Sequence, residues 1–262
     1  MQTFTLGVVS FVNSLPLYRT LEKEGTVHIV RAVPSQLEGL LSNGSVDAAL
    51  LPVVDSFHHP EFCVVSDACI ASDGDVRSVL MFTKVPPSQI RSVAADTSSH
   101  TSVALLKVLL ADAYGVQPTF IEHAPDFSGM LQTYDAALLI GDPALEAVEH
   151  LKQKPNAEVT VYDLAAEWEE LTGYPFVFAA WVARRDADAQ RLEVLSTLLS
   201  SARDAGEKVI PQLAGEAALS KPMLSVTLIQ DYLSHAIQFH LSPARRAGMH
   251  EFERRVRAHG LA

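Results

Sequence analysis

Short apolar runs, each ending at a glycine or a polar residue and followed by a stretch of helical spacing, recur through most of this chain. They include "FTLGVVS" (4–10), "VHIVRAV" (27–33), "VDAALLPV" (46–53), "SVAAD" (92–96), "PTFIE" (118–122) and "YDAALLIG" (134–141). Strands this apolar along their whole length must be covered on both faces. Alternation with helices supplies the cover and makes the sheet largely parallel. The helical stretches carry ordinary start and stop signals. Pro16 suits the first turn of 15–23, Pro34 opens 34–44, and Asn43-Gly44 closes it. The strongest is "HTSVALLKVLLADAYG" (100–115), whose Val103, Leu106, Leu110 and Ala113 share a stripe.

The pattern is interrupted once. After the apolar run "FCVVSDACIA" (62–71) comes "VRSVLMFTK" (76–84), a break at Pro86-Pro87, and then a second round of the alternation. A matching long apolar segment, "FVFAAWVAR" (176–184), closes that round. This arrangement predicts an α/β protein of two lobes joined by two crossover strands. Lobe I is 1–84 plus 185–262 and lobe II is 85–184. From 185 onward the amphipathic stretches "DADAQRLEVLSTLLSSARDAGEKVI", "PMLSVTLIQDYLSHAIQFHL" and "PARRAGMHEFERRVRAHG" predict an all-helical tail.

Charge and composition narrow the partners. Of 262 residues, 20 are Lys or Arg and 31 are Asp or Glu, a net charge of −11. Such a chain is repelled by nucleic acid and by anionic membrane surfaces, so neither is expected as a partner. Cys63 and Cys69 form no zinc or disulfide framework and are expected to be free thiols. The first residues lack the basic and apolar regions of a secretory signal, and no apolar run is long enough to span a membrane. A soluble, cytoplasmic protein, monomer or homodimer, is expected.

Ligands of open α/β sheets gather at the carboxyl ends of the strands, and four such places carry donors. "SFVNSLPL" places Ser10, Asn13 and Ser14 between the first strand and the first helix, either as an anion-binding turn or as a plain cap. Ser14 suits the cap. "DTSSHTS" (96–102) crowds Thr97, Ser98, Ser99, Thr101 and Ser102 at the start of the strongest helix, a cradle for a carboxylate or phosphate. "IGDPAL" offers Gly141 for close backbone approach and Asp142 as an N-cap that also reaches a ligand hydroxyl. Ser78, in the apolar "VRSVLMF", is either a tolerated small residue or a donor facing the cleft. Its neighbour Arg77 either pairs with an acidic ligand or is solvated. No P-loop, G-x-G-x-x-G, G-x-S-x-G or metal-binding histidine spacing is present.

Taken together, "SFVNSLPL", "VPSQLEGLLSNGSVDAALLPV", "RSVLMF", "DTSSHTSVALLKVLL", "YDAALLIGDPAL" and "YDLAAEWEELTGYPFVFAAWVAR" resemble the chorismate dehydratases of the futalosine route to menaquinone. The resemblance covers about residues 6–184. It implies a two-lobed type II periplasmic-binding-protein-like fold that has become a cytoplasmic enzyme. It implies conversion of chorismate to 3-[(1-carboxyvinyl)oxy]benzoate and water, with no metal or organic cofactor. The family's Ser-x-x-Asn motif falls on Ser10 and Asn13, and its Asp-Thr-Ser-Ser loop on Asp96 to Ser99. Phe11 stands where the family usually has tyrosine.

On this footing Ser10 and Asn13 are the expected catalytic residues, with Asn13 orienting the substrate or its leaving hydroxyl. Ser78, Thr97, Ser98, Ser99, Thr101, Ser102, Gly141 and Asp142 are the expected binding groups. The substrate's own carboxylate is the expected proton acceptor. Two rival readings share the scaffold. One is the sister enzyme that makes 1,4-dihydroxy-6-naphthoate, and the other is a non-catalytic binder of small anions.

Overall fold

A computed structural model describes residues 3–96, 100–155 and 158–261. The chain begins with β1 (Phe4–Val8), α1 (Leu15–Glu24), β2 (Val27–Arg31), α2 (Pro34–Ser42), β3 (Ala48–Pro52), α3 (Val53–His58) and β4 (Phe62–Ser72). It then crosses to β5 (Val79–Thr83), β6 (Ser92–Asp96), α4 (His100–Tyr114), β7 (Thr119–His123), α5 (Phe127–Thr133), β8 (Ala136–Ile140), α6 (Gly141–Gln153), β9 (Thr160–Asp163) and α7 (Leu164–Thr172). The return is β10 (Phe176–Arg184), followed by α8 (Ala189–Lys208), α9 (Ile210–Ser220), α10 (Val226–Asp231), β11 (Gln238–His240) and α11 (Pro243–Ala258).

Among the described residues these strands form two sheets, in the orders β11-β4-β10-β3-β1-β2 and β7-β6-β8-β5-β9. β3 and β8 are buried at every position, which explains their unbroken apolar sequences. β1 lies parallel to β2 and β3, and β6 parallel to β7 and β8. β10 and β5 run antiparallel to their neighbours, as strands arriving from the other lobe. Each sheet is therefore mixed.

The pairing places the lobe boundaries differently from 84/85 and 184/185. β5 belongs wholly to the second sheet and β10 wholly to the first. The crossings therefore lie between Ser72 and Val79 and between Asp163 and Phe176. An apolar run marks a buried strand but not the sheet that buries it. The tail also departs from the all-helical expectation. After α10 a turn of π-helix, Tyr232–Ala236, gives way to β11, which pairs antiparallel with β4 at the sheet edge. β4 would otherwise expose a row of unpaired backbone groups, and a short strand with Phe239 buried covers it.

Two contacts seat the tail. A Cβ on Gly206 of α8 would lie 1.9 Å from the Pro16 carbonyl oxygen, so only glycine lets α8 approach α1 this closely. Phe252 of α11 meets Phe176 and Trp168 edge to face, with ring centres 4.8 and 5.7 Å apart. That cluster ties α11 and α7 to the start of the returning strand. No helix among the described residues is long and apolar enough to cross a membrane.

Candidate functional site

The ends of β1, β3 and β8 converge with the crossing segments on a narrow cavity of about 70 Å³ between the two sheets. Its walls are largely apolar, with Phe11, Leu50, Ile70 and Phe178 among them. Among the described residues, the polar side chains that line it are Asn13, Ser78 and Ser102. None is charged, so a bound anion there meets neutral donors and helix N-termini rather than lysine or arginine.

Each polar group is placed by the local chain. Asn13 sits in the 3-10 turn Val12–Ser14 that joins β1 to α1. Its amide oxygen is buried and has no hydrogen-bond partner among the described residues. Ser14 makes no capping bond. Its hydroxyl instead lies 2.8 Å from the Val9 carbonyl and 2.7 Å from that of Phe11, which folds the strand exit back on itself. Ser10 is exposed and does not line the cavity.

Ser78 is fully buried, and its Oγ is 2.7 Å from the Tyr232 hydroxyl. It follows Arg77, the sole non-glycine residue among those described with a positive φ, +62°. The Arg77 N–H donates to Asp163 at 2.6 Å and its guanidinium pairs with Asp231 at 2.6 Å. The strained backbone is thus held on both sides. Burial pushes the Asp163 carboxyl above the usual carboxylate range, against the four backbone N–H groups that favour its ionised form. Arg77 is therefore neither free for a ligand nor simply solvated.

Gly141, at the head of α6, has φ +58°, and its N–H donates to the Ser78 carbonyl at 2.7 Å. A Cβ there would sit 2.8 Å from the Phe11 ring. The close approach that glycine permits is therefore by a phenylalanine of the opposite lobe. Asp142 is buried in the first turn of α6 rather than capping it. It accepts from the Val12 N–H at 3.1 Å and pairs with Lys221 at 2.8 Å. Its carboxylate is spent on joining the lobes.

The head of α4 divides in the same way. Ser102 faces the inner cavity, whereas the Thr101 hydroxyl accepts from the Val54 N–H of α3 at 3.3 Å. His100 Nδ1 lies 2.8 Å from Asp55, also on α3. That hydrogen bond raises the His100 pKa against the opposing effect of burial. On the far side of this turn a wider cleft of about 870 Å³ opens, lined by Asp55, His58, Asp96, His100, Lys107 and Glu122 among others. Thr97, Ser98 and Ser99 lie outside the described residues.

A family model described as menaquinone biosynthesis matches residues 4–258. The chain belongs to this menaquinone-biosynthesis family. Among the family's relatives, the chorismate dehydratase of Thermus thermophilus is 33% identical, the match covering 96% of this chain and 94% of that one. The chorismate dehydratase of Campylobacter jejuni is 26% identical over 98% of this chain and 99% of that one. The family's architecture here is the two-lobed periplasmic-binding-protein-like fold. The periplasmic aliphatic sulphonate binding protein SsuA of Escherichia coli superposes with a TM-score of 0.69 at 16% identity, covering 100% of this chain and 89% of that one.

Sequence reasoning missed Tyr232, Lys221 and Asp55. Asp55 sits in the first turn after β3, and Tyr232 and Lys221 lie in the tail, where helical periodicity is the only local signal. Burial of a polar aromatic inside an amphipathic stretch is visible only once the tail is packed on the crossing segment.

Proposed function

We propose that this protein is a hydro-lyase that removes water from chorismate to give 3-[(1-carboxyvinyl)oxy]benzoate, acting in the cytoplasm on the futalosine route. The observation that carries the reading is the near full-length match to two relatives named chorismate dehydratase. Those names favour it over the sister enzyme and over a non-catalytic anion binder.

The cavity chemistry suits the reaction. Loss of the ring hydroxyl and of a hydrogen from the neighbouring carbon makes the ring aromatic, so the step is strongly downhill. What the site must supply is position and polarised neutral groups rather than a strong base. Asn13, Ser78 and Ser102 are neutral, directional groups around an apolar slot. Ser102 and the head of α4, with Thr97, Ser98 and Ser99 before it, would hold a carboxylate. The proton from the ring carbon would pass to the substrate's own enolpyruvyl carboxylate. Ser10 would act from the rim. The inner cavity alone is far smaller than the roughly 300–1,000 Å³ of a typical small-molecule site. Entry of a dicarboxylate therefore requires the lobes to part, and their closing excludes water.

The decisive experiment is to incubate the purified protein with chorismate and follow the ultraviolet change on aromatisation, identifying the product by mass. Formation of the carboxyvinyloxy benzoate with release of one water supports the reading. Tight binding of chorismate without conversion, or no interaction, overturns it.

A further inference from the structure

The residue before Ser78 holds a backbone conformation that an L residue does not keep unaided. Arg77 has φ +62°, where its Cβ crowds the chain, and such a residue persists when its surroundings hold it. One carboxyl group supplies the hold. Asp163 Oδ2 accepts from the Arg77 N–H at 2.6 Å, and Oδ1 accepts from the Val76 N–H at 3.2 Å. The same Oδ1 accepts from the N–H groups of Ala165 at 3.0 Å and Ala166 at 3.4 Å, at the head of α7.

Capping α7 needs the last two of these bonds and no more. The other two span 87 and 86 residues and reach the other crossing. Asp163 therefore ties the head of α7 to the turn that delivers Ser78. After Ser78 the chain is held by the sheet, since β5 pairs with β8 on one side and with β9 on the other. The Ser78 carbonyl itself accepts from the Gly141 N–H at 2.7 Å. Before Ser78 the hold is Asp163, because the Arg77–Asp231 ion pair is exposed at both ends and contributes little.

We infer that Asp163 is a positioning residue: by keeping Arg77 left-handed, it fixes where the Ser78 hydroxyl enters the inner cavity. Ser78 is fully buried and lines that cavity. Were Arg77 to relax to a negative φ, the chain would rotate about it and Ser78 Oγ would leave its place. The consequence for turnover takes its substrate from the reading above.

Asp163→Asn tests this, because it keeps one oxygen for the α7 cap and turns an amide N–H group towards the Arg77 N–H, donor against donor. The kcat for chorismate should fall at least tenfold. KM should stay within threefold, because the head of α4 is untouched. Glycine adopts a positive φ freely, so Asp163→Asn with Arg77→Gly should recover to within threefold of Arg77→Gly alone. A residue that merely capped α7 would not be rescued at position 77. A comparison at Arg77 with Asp163 intact covers the case in which Asp163→Asn does not fold. The β-branched Arg77→Val should be at least tenfold slower than Arg77→Gly. A final readout needs no substrate. In protein labelled with 15N-arginine, the Arg77 backbone amide, assigned by its loss in Arg77→Lys, should exchange with solvent at least tenfold faster in Asp163→Asn. Unchanged amide protection overturns the inference. So does a kcat within twofold of the parent in Asp163→Asn, a double variant no faster than Asp163→Asn, or equal kcat in Arg77→Val and Arg77→Gly. A parent protein inert to chorismate overturns the proposed function instead, and the amide exchange still decides whether Asp163 holds Arg77.

Discussion

Asn13 and Ser78 carry no charge, and both line the apolar slot between the sheets. Asn13→Ala should reduce turnover of chorismate by roughly 100-fold or more, the scale of losing one aimed polar group at a reacting centre. Asn13→Asp should do no better, because it puts a negative charge beside an anionic substrate. Steady-state kinetics on both variants checks this, and near-normal turnover in Asn13→Ala removes the residue from the mechanism. Gly141 is constrained twice, by a left-handed φ and by the Phe11 ring pressing on it. Gly141→Ala should cost about 1–2 kcal/mol in backbone strain and displace that ring. The expected result is a raised KM and a lower Tm, with Phe11→Ala in the same chain restoring part of the KM. The two cysteines are single-residue matters as well. Burial pushes the Cys69 thiol up to about 12, so it should resist alkylation at pH 8 until the protein unfolds.

At the level of elements, one helix pair is matched within a lobe by a small residue and another is joined across the junction by a titratable pair. α8 lies so close to α1 that Gly206→Ala would drive a methyl group into the Pro16 carbonyl. The cost should be about 1–3 kcal/mol, seen as a lower urea midpoint with an unchanged slope. α3 and α4 are joined by the Asp55–His100 contact. Its hydrogen bond holds the histidine pKa above the 6.5 of the free side chain. The stabilisation is therefore complete below about pH 6.5, the unfolded value, and is lost as pH rises through the higher folded value. His100→Gln should lower Tm at pH 6 by more than it does at pH 9. Equal losses at the two pH values would show that the charge on His100 plays no part.

For the whole molecule, the same few residues shape the site and hold the lobes together. Val12 on Asp142, Phe11 on Gly141, Val54 on Thr101 and Asp55 on His100 all span the junction. Asp142→Asn weakens the first of these and leaves Lys221 without its counter-ion. It should shift the ensemble towards parted lobes, with a larger radius of gyration in solution scattering and a KM raised more than kcat is lowered. An unchanged radius and KM would assign Asp142 to packing alone.

What the sequence by itself determined follows from local chemistry. Apolar runs such as Ala48–Pro52 and Ala136–Ile140 must be doubly covered strands, and polar residues at their ends must face a junction. That was enough to anticipate a two-lobed α/β protein and to single out Asn13, Ser78 and Ser102. Only the tertiary structure decided how each donor is used. Thr101 and Asp142 looked like ligand groups, and their partners proved to be backbone N–H groups 47 and 130 residues away. Ser10 looked equivalent to Asn13, yet the 3-10 turn leaves it exposed. Tyr232 lay in a stretch read as plain helix until Ser78 was packed on it. A side chain's hydrogen-bonding capacity is written in its chemistry, but its partner is set by distance in space, which one chain's local pattern does not encode.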